Sequence, residues 1–375
     1  MSPAKILKIF LFWRIGLLAV TYLGSLTFPL IQNSGIGAIG PGKSFDYWAS
    51  WAQWDGGHYL DIAASGYLDI GNYAFFPLFP TLAGIVHHFL KLDLITSGLL
   101  ISNIAFVLFL IVFFKLTTRL ILANSGKDQP QEVAYASTIT LLLFPTSFFA
   151  TAYYSESLFL LIVTLAFACL WRKNFLLAAL LASLASLTRL MGAMLIVSVF
   201  YSYFASIKFN PAKVNIKLLH IAAAFFGISV YSIYLFFNLN DPLRFLTSQS
   251  NWQRTVTDPI STIVSYIWPI VTYQLRPYSD WLDLGFTLLF LSILILGIKK
   301  IPSSLWIFSM LAILIPASSG TLTSMPRYLL ASLGAFIIVG LYLTGKPKLK
   351  IIVWTASLFL QIFFAVRFIN GYWVA

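Results

Sequence analysis

The sequence predicts an all-α polytopic membrane protein with about eleven transmembrane helices. Three observations lead there. Only 10% of the 375 residues are charged and 59% are hydrophobic, whereas soluble domains carry about 25% charged residues. Apolar runs near the membrane-spanning length of about 20 residues recur from end to end, and the mean hydropathy is +0.86. Between the runs, basic residues gather at Lys5/Lys8/Arg14, Lys115/Arg119/Lys127, Arg172-Lys173, Lys208/Lys213/Lys217, Lys299-Lys300 and Lys346/Lys348/Lys350, as they do in loops left on the cytoplasmic side. The net charge of +12 therefore reads as topology and not as a nucleic-acid partner. The single Cys169 lies inside an apolar run, which leaves no disulfide and no thiolate metal site.

With the basic clusters inside, the path follows in order. A first span over about 6–28 has no small-residue cleavage site behind a short apolar core, so it reads as retained and not as a signal peptide. It leads out into a long external loop, 31–97. Further spans are expected at about 98–122, 133–150, 157–171, 175–188, 190–206, 218–239, 281–298, 303–317, 328–344 and 351–369. The apolar stretches 75–90 and 260–275 must not cross if the basic loops are to stay inside. Pro77, Pro80 and Pro269 suit re-entrant or surface-lying helices there. Residues 1–375 form one membrane unit, without repeat or linker, with a second external segment at 240–280. Every acid except Asp128 and Glu132 falls outside. Acids contribute little to orientation, so the external face is the chemical face.

Five external features carry candidate chemistry. In loop 31–97, Phe45, Trp48 and Trp51 recur at three-residue spacing and Tyr59, Ile62, Ala63 and Tyr67 at helical spacing. This pattern predicts two short amphipathic helices hinged at Gly56-Gly57. The hinge would leave Asp55, between Trp54 and the glycines, at a helix end facing the bundle. Asp46 and His58 are possible orienters; Asp61 and Asp69 read as solvated surface. The stretch Phe75-Phe-Pro-Leu-Phe-Pro80 either lines a lipid-chain groove or packs at the interface. His87-His88 either join Asp55 and His58 on a metal or sit as interfacial histidines. Tyr153-Tyr-Ser-Glu-Ser157 opens a span, with Ser155 as a cap and Glu156 in the first turn, or with Tyr154 and Glu156 on substrate. Ser186-Leu-Thr-Arg189 joins two short spans, which puts Arg189 below the external surface, and Arg327 in Met325-Pro-Arg-Tyr328 is similarly placed. An intramembrane Arg marks a functional site by default, and its fork of donors suits phosphate; the other reading is snorkelling to the interface. The segment from Asp241-Pro-Leu-Arg-Phe245 to Gln249, Trp252 and Arg254 offers hydrogen-bonders beside aromatic surface, as sugar sites do, or is an ordinary ordered loop.

An apolar groove, two arginines and one carboxylate on the external side suggest a lipid-phosphate substrate. There is no soluble nucleotide-binding domain, so an activated donor would arrive within the membrane, as a polyprenyl-phosphate sugar does. Asp55 is then the general base on an acceptor hydroxyl, while Arg189 and Arg327 stabilise the departing phosphate. Trp54, His58, Tyr59, Tyr154, Glu156, Asp241, Gln249 and Trp252 are the expected substrate contacts. No cofactor is expected, although Asp55, Asp46, Glu156 and the histidines could recruit a divalent metal.

These motifs, Trp54-Asp-Gly-Gly-His-Tyr59, Phe75–Pro80, Phe144-Pro145 with Tyr154-Ser-Glu-Ser157, Leu187-Thr-Arg189 with Gly192, and Asp241–Phe245, resemble in order the PIG-V (GPI mannosyltransferase 2) family and its prokaryotic relatives. The resemblance implies a GT-C type fold with juxtamembrane helices in the first external loop. It also implies an inverting transfer of mannose from dolichyl- or polyprenyl-phosphate mannose, with Asp55 at the catalytic acid's position. Without eukaryotic insertions, the chain is expected in a prokaryotic plasma membrane with its active site outside. The acceptor would be a glycolipid, glycan or protein. The competing readings are a transferase of another lipid-linked sugar and a transporter or flippase of a lipid-linked or anionic solute.

Overall fold

The computed structural model describes residues 3–32, 35–40, 43–124 and 129–374; Lys127 and Asp128 of the expected inside loop lie outside them. The described chain is helical throughout, with isolated bridges Gln32–Ile39 and Gly40–Lys43 as its only β pairing. In chain order the helices are α1 (Pro3–Thr27), α2 (Asp55–Ser65), α3 (Leu78–Leu90), α4 (Leu94–Asn124), α5 (Pro130–Leu142), α6 (Glu156–Trp171), α7 (Phe175–Ser186), α8 (Leu195–Ser206), α9 (Lys217–Ala222), α10 (Phe226–Leu239), α11 (Arg244–Thr247), α12 (Pro259–Val271), α13 (Tyr278–Leu296), α14 (Ser303–Ala317), α15 (Met325–Tyr328), α16 (Leu333–Leu343) and α17 (Pro347–Ile369).

Five of these stretches are long and apolar enough to cross a membrane: α1, α4, the Lys217–Leu239 run of α9 and α10, α13 and α17. A sixth is a pair, Met325–Ala331 and Leu333–Leu343, bent by 81°. The other expected spans fall on shorter apolar helices, so a count of eleven crossings does not follow from length. The break before α16 has a physical cause. Ser332 departs from helical geometry at φ −77°, ψ 61°, and Ser309 on α14 takes up the freed groups, accepting from Ser332 Oγ at 3.2 Å and from Gly334 N at 2.8 Å.

The core is built on α4, which packs against α3, α5 and α6, while α5 packs on α16 and α1 on α17. Along α4 the rings of Phe106, Phe109 and Phe113 stack at 5.9 and 5.6 Å between centroids. Where α5 stops before Phe144-Pro145, its last carbonyls lose intrahelical donors, a costly state away from water. Gln361 on α17 supplies them, donating to Leu142 O at 3.0 Å and Phe144 O at 2.8 Å while accepting from Trp13 Nε1 at 2.8 Å. One amide thus ties α1, α5 and α17. At one end of the bundle Lys350 Nζ meets Glu132 at 3.0 Å, joining two groups both expected inside.

Arg14 departs from expectation. It does not stand with Lys5 and Lys8 in an inside cluster but is buried in mid-helix. Its guanidinium lies 4.2 Å over the ring of Trp51, and Nη2 donates to Thr151 O at 3.4 Å. The face of an aromatic ring and a carbonyl give the cation a place that no loop water supplies.

The first loop folds onto the bundle. A 3-10 turn, Ala49–Ala52, precedes α2, and Tyr153 N donates to Trp51 O at 3.0 Å. The expected hinge at Gly56-Gly57 is corrected: both glycines lie in the first turn of α2, and the chain bends one step earlier, at Trp54, with φ 58° and ψ −123°. The reason for Gly56 is close packing, since a Cβ there would sit 3.2 Å from Tyr153 O. Phe75, Phe76 and Phe79 are buried, so the Phe75–Pro80 stretch packs and offers no open groove. Helix α12, capped by Asp258 through Ser261 N at 2.8 Å, is too short to span and exposes Ile260, Val264, Trp268 and Val271 along one side.

Candidate active site

The four charged residues singled out on the external side converge, although they come from four separate segments. Asp55 opens α2, Glu156 opens α6, Arg189 follows α7 and Arg327 sits in the short α15. Arg327 Nη2 donates to Asp55 Oδ2 at 2.6 Å, and its Nε lies 3.4 Å from Glu156 Oε1. Arg189 Nη1 pairs with the same Glu156 oxygen. The result is a chain of alternating charge, Asp55–Arg327–Glu156–Arg189, in which side-chain exposure falls from 17% at Asp55 to 5% at Glu156. Snorkelling is not what these arginines do.

Local structure explains the convergence. Helix α2 points its N-terminus, and with it Asp55, at the cluster. The chain before it is fixed by Tyr154 Oη donating to Gln53 O at 2.8 Å and by Gln53 Nε2 donating to Ile369 O at 3.1 Å. Arg189 is extended, at φ −156° and ψ 148°, between α7 and a 3-10 turn, Leu190–Met194. The tight return needs Gly192, whose Cβ would run into the Ala185 carbonyl. Ser155 does not cap α6 with its side chain, as expected from the sequence; its hydroxyl instead pairs with Tyr59 Oη at 2.7 Å.

Burial alone would push the Asp55 carboxyl up, but the touching Arg327 guanidinium outweighs it and holds the group below the usual carboxylate range. The Tyr59 phenol, by contrast, is pushed up by burial. Both Glu156 oxygens and Arg327 Nε are buried without a well-aligned hydrogen bond among the described residues, so charge alone holds that part of the cluster. The cavity beside Glu156, Arg189, Arg327 and Tyr328 has closed to about 10 Å³, no more than one water needs.

The remaining expected contacts divide. Tyr154 lies under the Arg327 guanidinium at 5.6 Å. His58 Nδ1 donates to Asn72 Oδ1 at 2.8 Å, and its ring stacks on Phe75 at 4.5 Å and meets Trp252 edge-on at 5.5 Å. Trp252 thus reaches the loop from the second external segment. Asp241 turns its carboxylate onto its own chain, accepting from Leu243 N at 3.1 Å, and Gln249 engages only through its carbonyl, with Arg254 N. Asp46 likewise accepts from Ala49 N, and Asp69 from Gly71 N. His87 hydrogen-bonds Leu92 O, and no three His, Cys, Asp or Glu among the described residues could hold a metal together. Two residues outside the expected substrate contacts join the cluster. Tyr328 has the guanidiniums of Arg254, Arg327 and Arg189 at 5.4, 5.6 and 5.7 Å from its ring. Arg254 is held by Ser319 Oγ and Thr323 O. A tyrosine following Arg327 was the only available signal.

The helical membrane bundle with a charged, loop-covered site at one face has a fold that solved structures share. The crystal structure of ArnT from Cupriavidus metallidurans bound to undecaprenyl phosphate superposes with a TM-score of 0.53 at 14% identity, over 93% of this chain and 62% of that one. Its apo form does so with 0.53 and 14%, over 96% and 63%. This chain therefore spans somewhat under two thirds of ArnT's length. No curated protein matches by sequence. The chain belongs to the mannosyltransferase (PIG-V) family, whose model matches residues 26–238.

Proposed function

We propose that the protein is an inverting glycosyltransferase that moves mannose from a polyprenyl-phosphate donor to an acceptor hydroxyl on the extracytoplasmic side. The Asp55–Arg327–Glu156–Arg189 chain carries the reading. It sets one carboxylate at one end and two guanidiniums along the rest, with Arg327 and Glu156 the most buried. The acceptor hydroxyl gives its proton to Asp55 as its oxygen bonds to the anomeric carbon. The bond from that carbon to the lipid phosphate breaks with the electron pair leaving on phosphate oxygen, and Arg189 and Arg327 meet the charge that develops there. Arg327 has two tasks that exclude one another. While it grips Asp55 the base is held in its weakly basic form, and the closed cavity has no room for a phosphate. A donor phosphate drawing Arg327 away frees Asp55 to accept a proton, so proton transfer from the acceptor waits on the donor. Glu156 keeps the two guanidiniums together during the exchange.

Family membership and the ArnT likeness support a transferase; mannose rests on the family. Purified protein in lipid discs, given undecaprenyl-phosphate [¹⁴C]mannose and host lipid extract, is expected to release undecaprenyl phosphate and label an acceptor. Activity that survives Asp55→Asn or Asp55→Ala removes Asp55 from the base role. Label that crosses a vesicle with its lipid uncleaved favours transport. No step is routed through a metal, and turnover lost to a chelator and restored by one divalent ion would require one.

A further inference from the structure

Two tryptophans stand at the mouth of the site with no part in the chemistry above. Trp54 immediately precedes Asp55, and Trp373 comes from the segment after α17. Their rings lie 5.2 Å apart at 88°, so they form the two walls of a corner. Both remain partly open, at 38% and 37% exposure. Each wall is anchored. Gln53 Nε2 reaches Ile369 O at 3.1 Å, which ties the residue before Trp54 to the end of α17. Asn370 Nδ2 donates to Gly24 O and Phe28 O, and Tyr372 N to Arg367 O at 2.9 Å.

Trp54 also sits at positive φ, 58°, which a bulky residue adopts only where its surroundings impose it, and such strain gathers at functional positions. A tryptophan that merely anchors the protein in the membrane interface needs neither a strained backbone nor a place beside the proposed base. A flat, rigid, apolar face with an N–H at its rim suits a ring that is apolar on its faces and polar at its edge.

We infer, resting on the transferase reading above, that Trp54 and Trp373 form the subsite for the pyranose ring of the acceptor, so that the acceptor is a saccharide. Stacked in this corner, a sugar presents an equatorial edge of hydroxyls toward Asp55. A peptide or an alkyl alcohol brings no ring to the corner.

The test uses the full chain in lipid discs, with methyl α-D-mannopyranoside as probe and glycerol as an acyclic polyol, followed by saturation-transfer NMR. Wild type is expected to bind the mannoside saturably and glycerol not at all. Trp373→Leu is expected to weaken mannoside binding at least about tenfold, which is about 1.4 kcal/mol, and Trp373→Phe by only two- to threefold. Should the Leu variant not fold, the loss in the Phe variant decides, and unchanged affinity there overturns the subsite. No saturable binding to wild type overturns it too. So does quenching by brominated acyl chains that disappears in Trp373→Phe, which would place the corner in the bilayer. Undecaprenyl phosphate binding to wild type is measured in parallel. Wild type that binds the lipid and not the mannoside sinks the subsite alone, and the reverse sinks the donor reading alone.

Discussion

Replacing Arg327 by Gln removes the cation that touches Asp55 while leaving the carboxylate as buried as before. With Nη2 at 2.6 Å from Oδ2, the charge centres are roughly 4 Å apart, which at an effective dielectric near 20 corresponds to about 4 kcal/mol. In the wild type the depressed carboxyl is ionised at every pH above the usual carboxylate range, and the stability of the pair is lost only as pH falls through that lowered value. In Arg327→Gln the largest opposing charge is gone, only the weaker pulls of His58 and Arg189 stand against burial, and the carboxyl rises. The acid limb of kcat/KM for release of undecaprenyl phosphate is therefore expected to move up, on top of a rate loss of about 10²–10³ for a lost charge-stabilising donor. Arg189→Gln is expected to cost similar rate with a smaller movement of the limb, because Arg189 pairs with Glu156 and not with Asp55. An acid limb at the same pH in Arg327→Gln and wild type would refute the coupling of Arg327 to the base. The control is Asp55→Asn, which must abolish the limb along with the activity.

Glu156→Gln leaves two buried guanidiniums without the carboxylate they share, and breaking a buried pair costs about 3–5 kcal/mol. Its thermal midpoint should drop more than that of Asp55→Asn, whose carboxylate is more open, and equal midpoints would count against the shared pairing. Gly56→Ala forces a Cβ to 3.2 Å from a backbone oxygen and Gly57→Ala meets only the Ile36 side chain at 3.4 Å. The first should lose about 1–3 kcal/mol of stability with its activity and the second little of either, as heat-inactivation assays would show; the opposite order would restore the Gly-Gly hinge. Arg14→Lys keeps the charge beneath Trp51 but not the planar stack. With a desolvated cation–π contact worth about 2 kcal/mol, kcat should fall roughly tenfold at unchanged donor KM, and a change confined to KM would detach Arg14 from the loop.

The apolar helices were legible because membrane segments announce themselves by composition, although only five or six stretches among the described residues have the length to cross. Asp55, Glu156, Arg189 and Arg327 were legible one by one, since charge in an apolar chain is conspicuous. Their pairing was not, because Asp55 and Arg327 meet across most of the chain, and nothing local to either residue specifies the other. Gly56-Gly57 misled for a related reason: a glycine needed for close approach to Tyr153 reads, in sequence, like a glycine needed for a bend. Asp241 turns onto its own chain because a short polar side chain beside a turn satisfies its own backbone first. Arg254 carried too little local context to be ranked above other external cations, and only the fold brings it to Tyr328.

The shortness of the helices around the site has a mechanical consequence. Helices α6 and α7 have 16 and 12 residues, roughly 24 and 18 Å at 1.5 Å per residue, against a hydrocarbon layer about 30 Å thick. A bilayer meeting so short an apolar wall thins to match it, at a cost of fractions of a kcal/mol per Å. Thinning draws the headgroup plane down toward the ends of those helices, where Glu156 and Arg189 stand. On the transferase reading, a lipid phosphate then reaches the guanidiniums without being pulled far out of its leaflet, and donor affinity should fall as the surrounding acyl chains are lengthened.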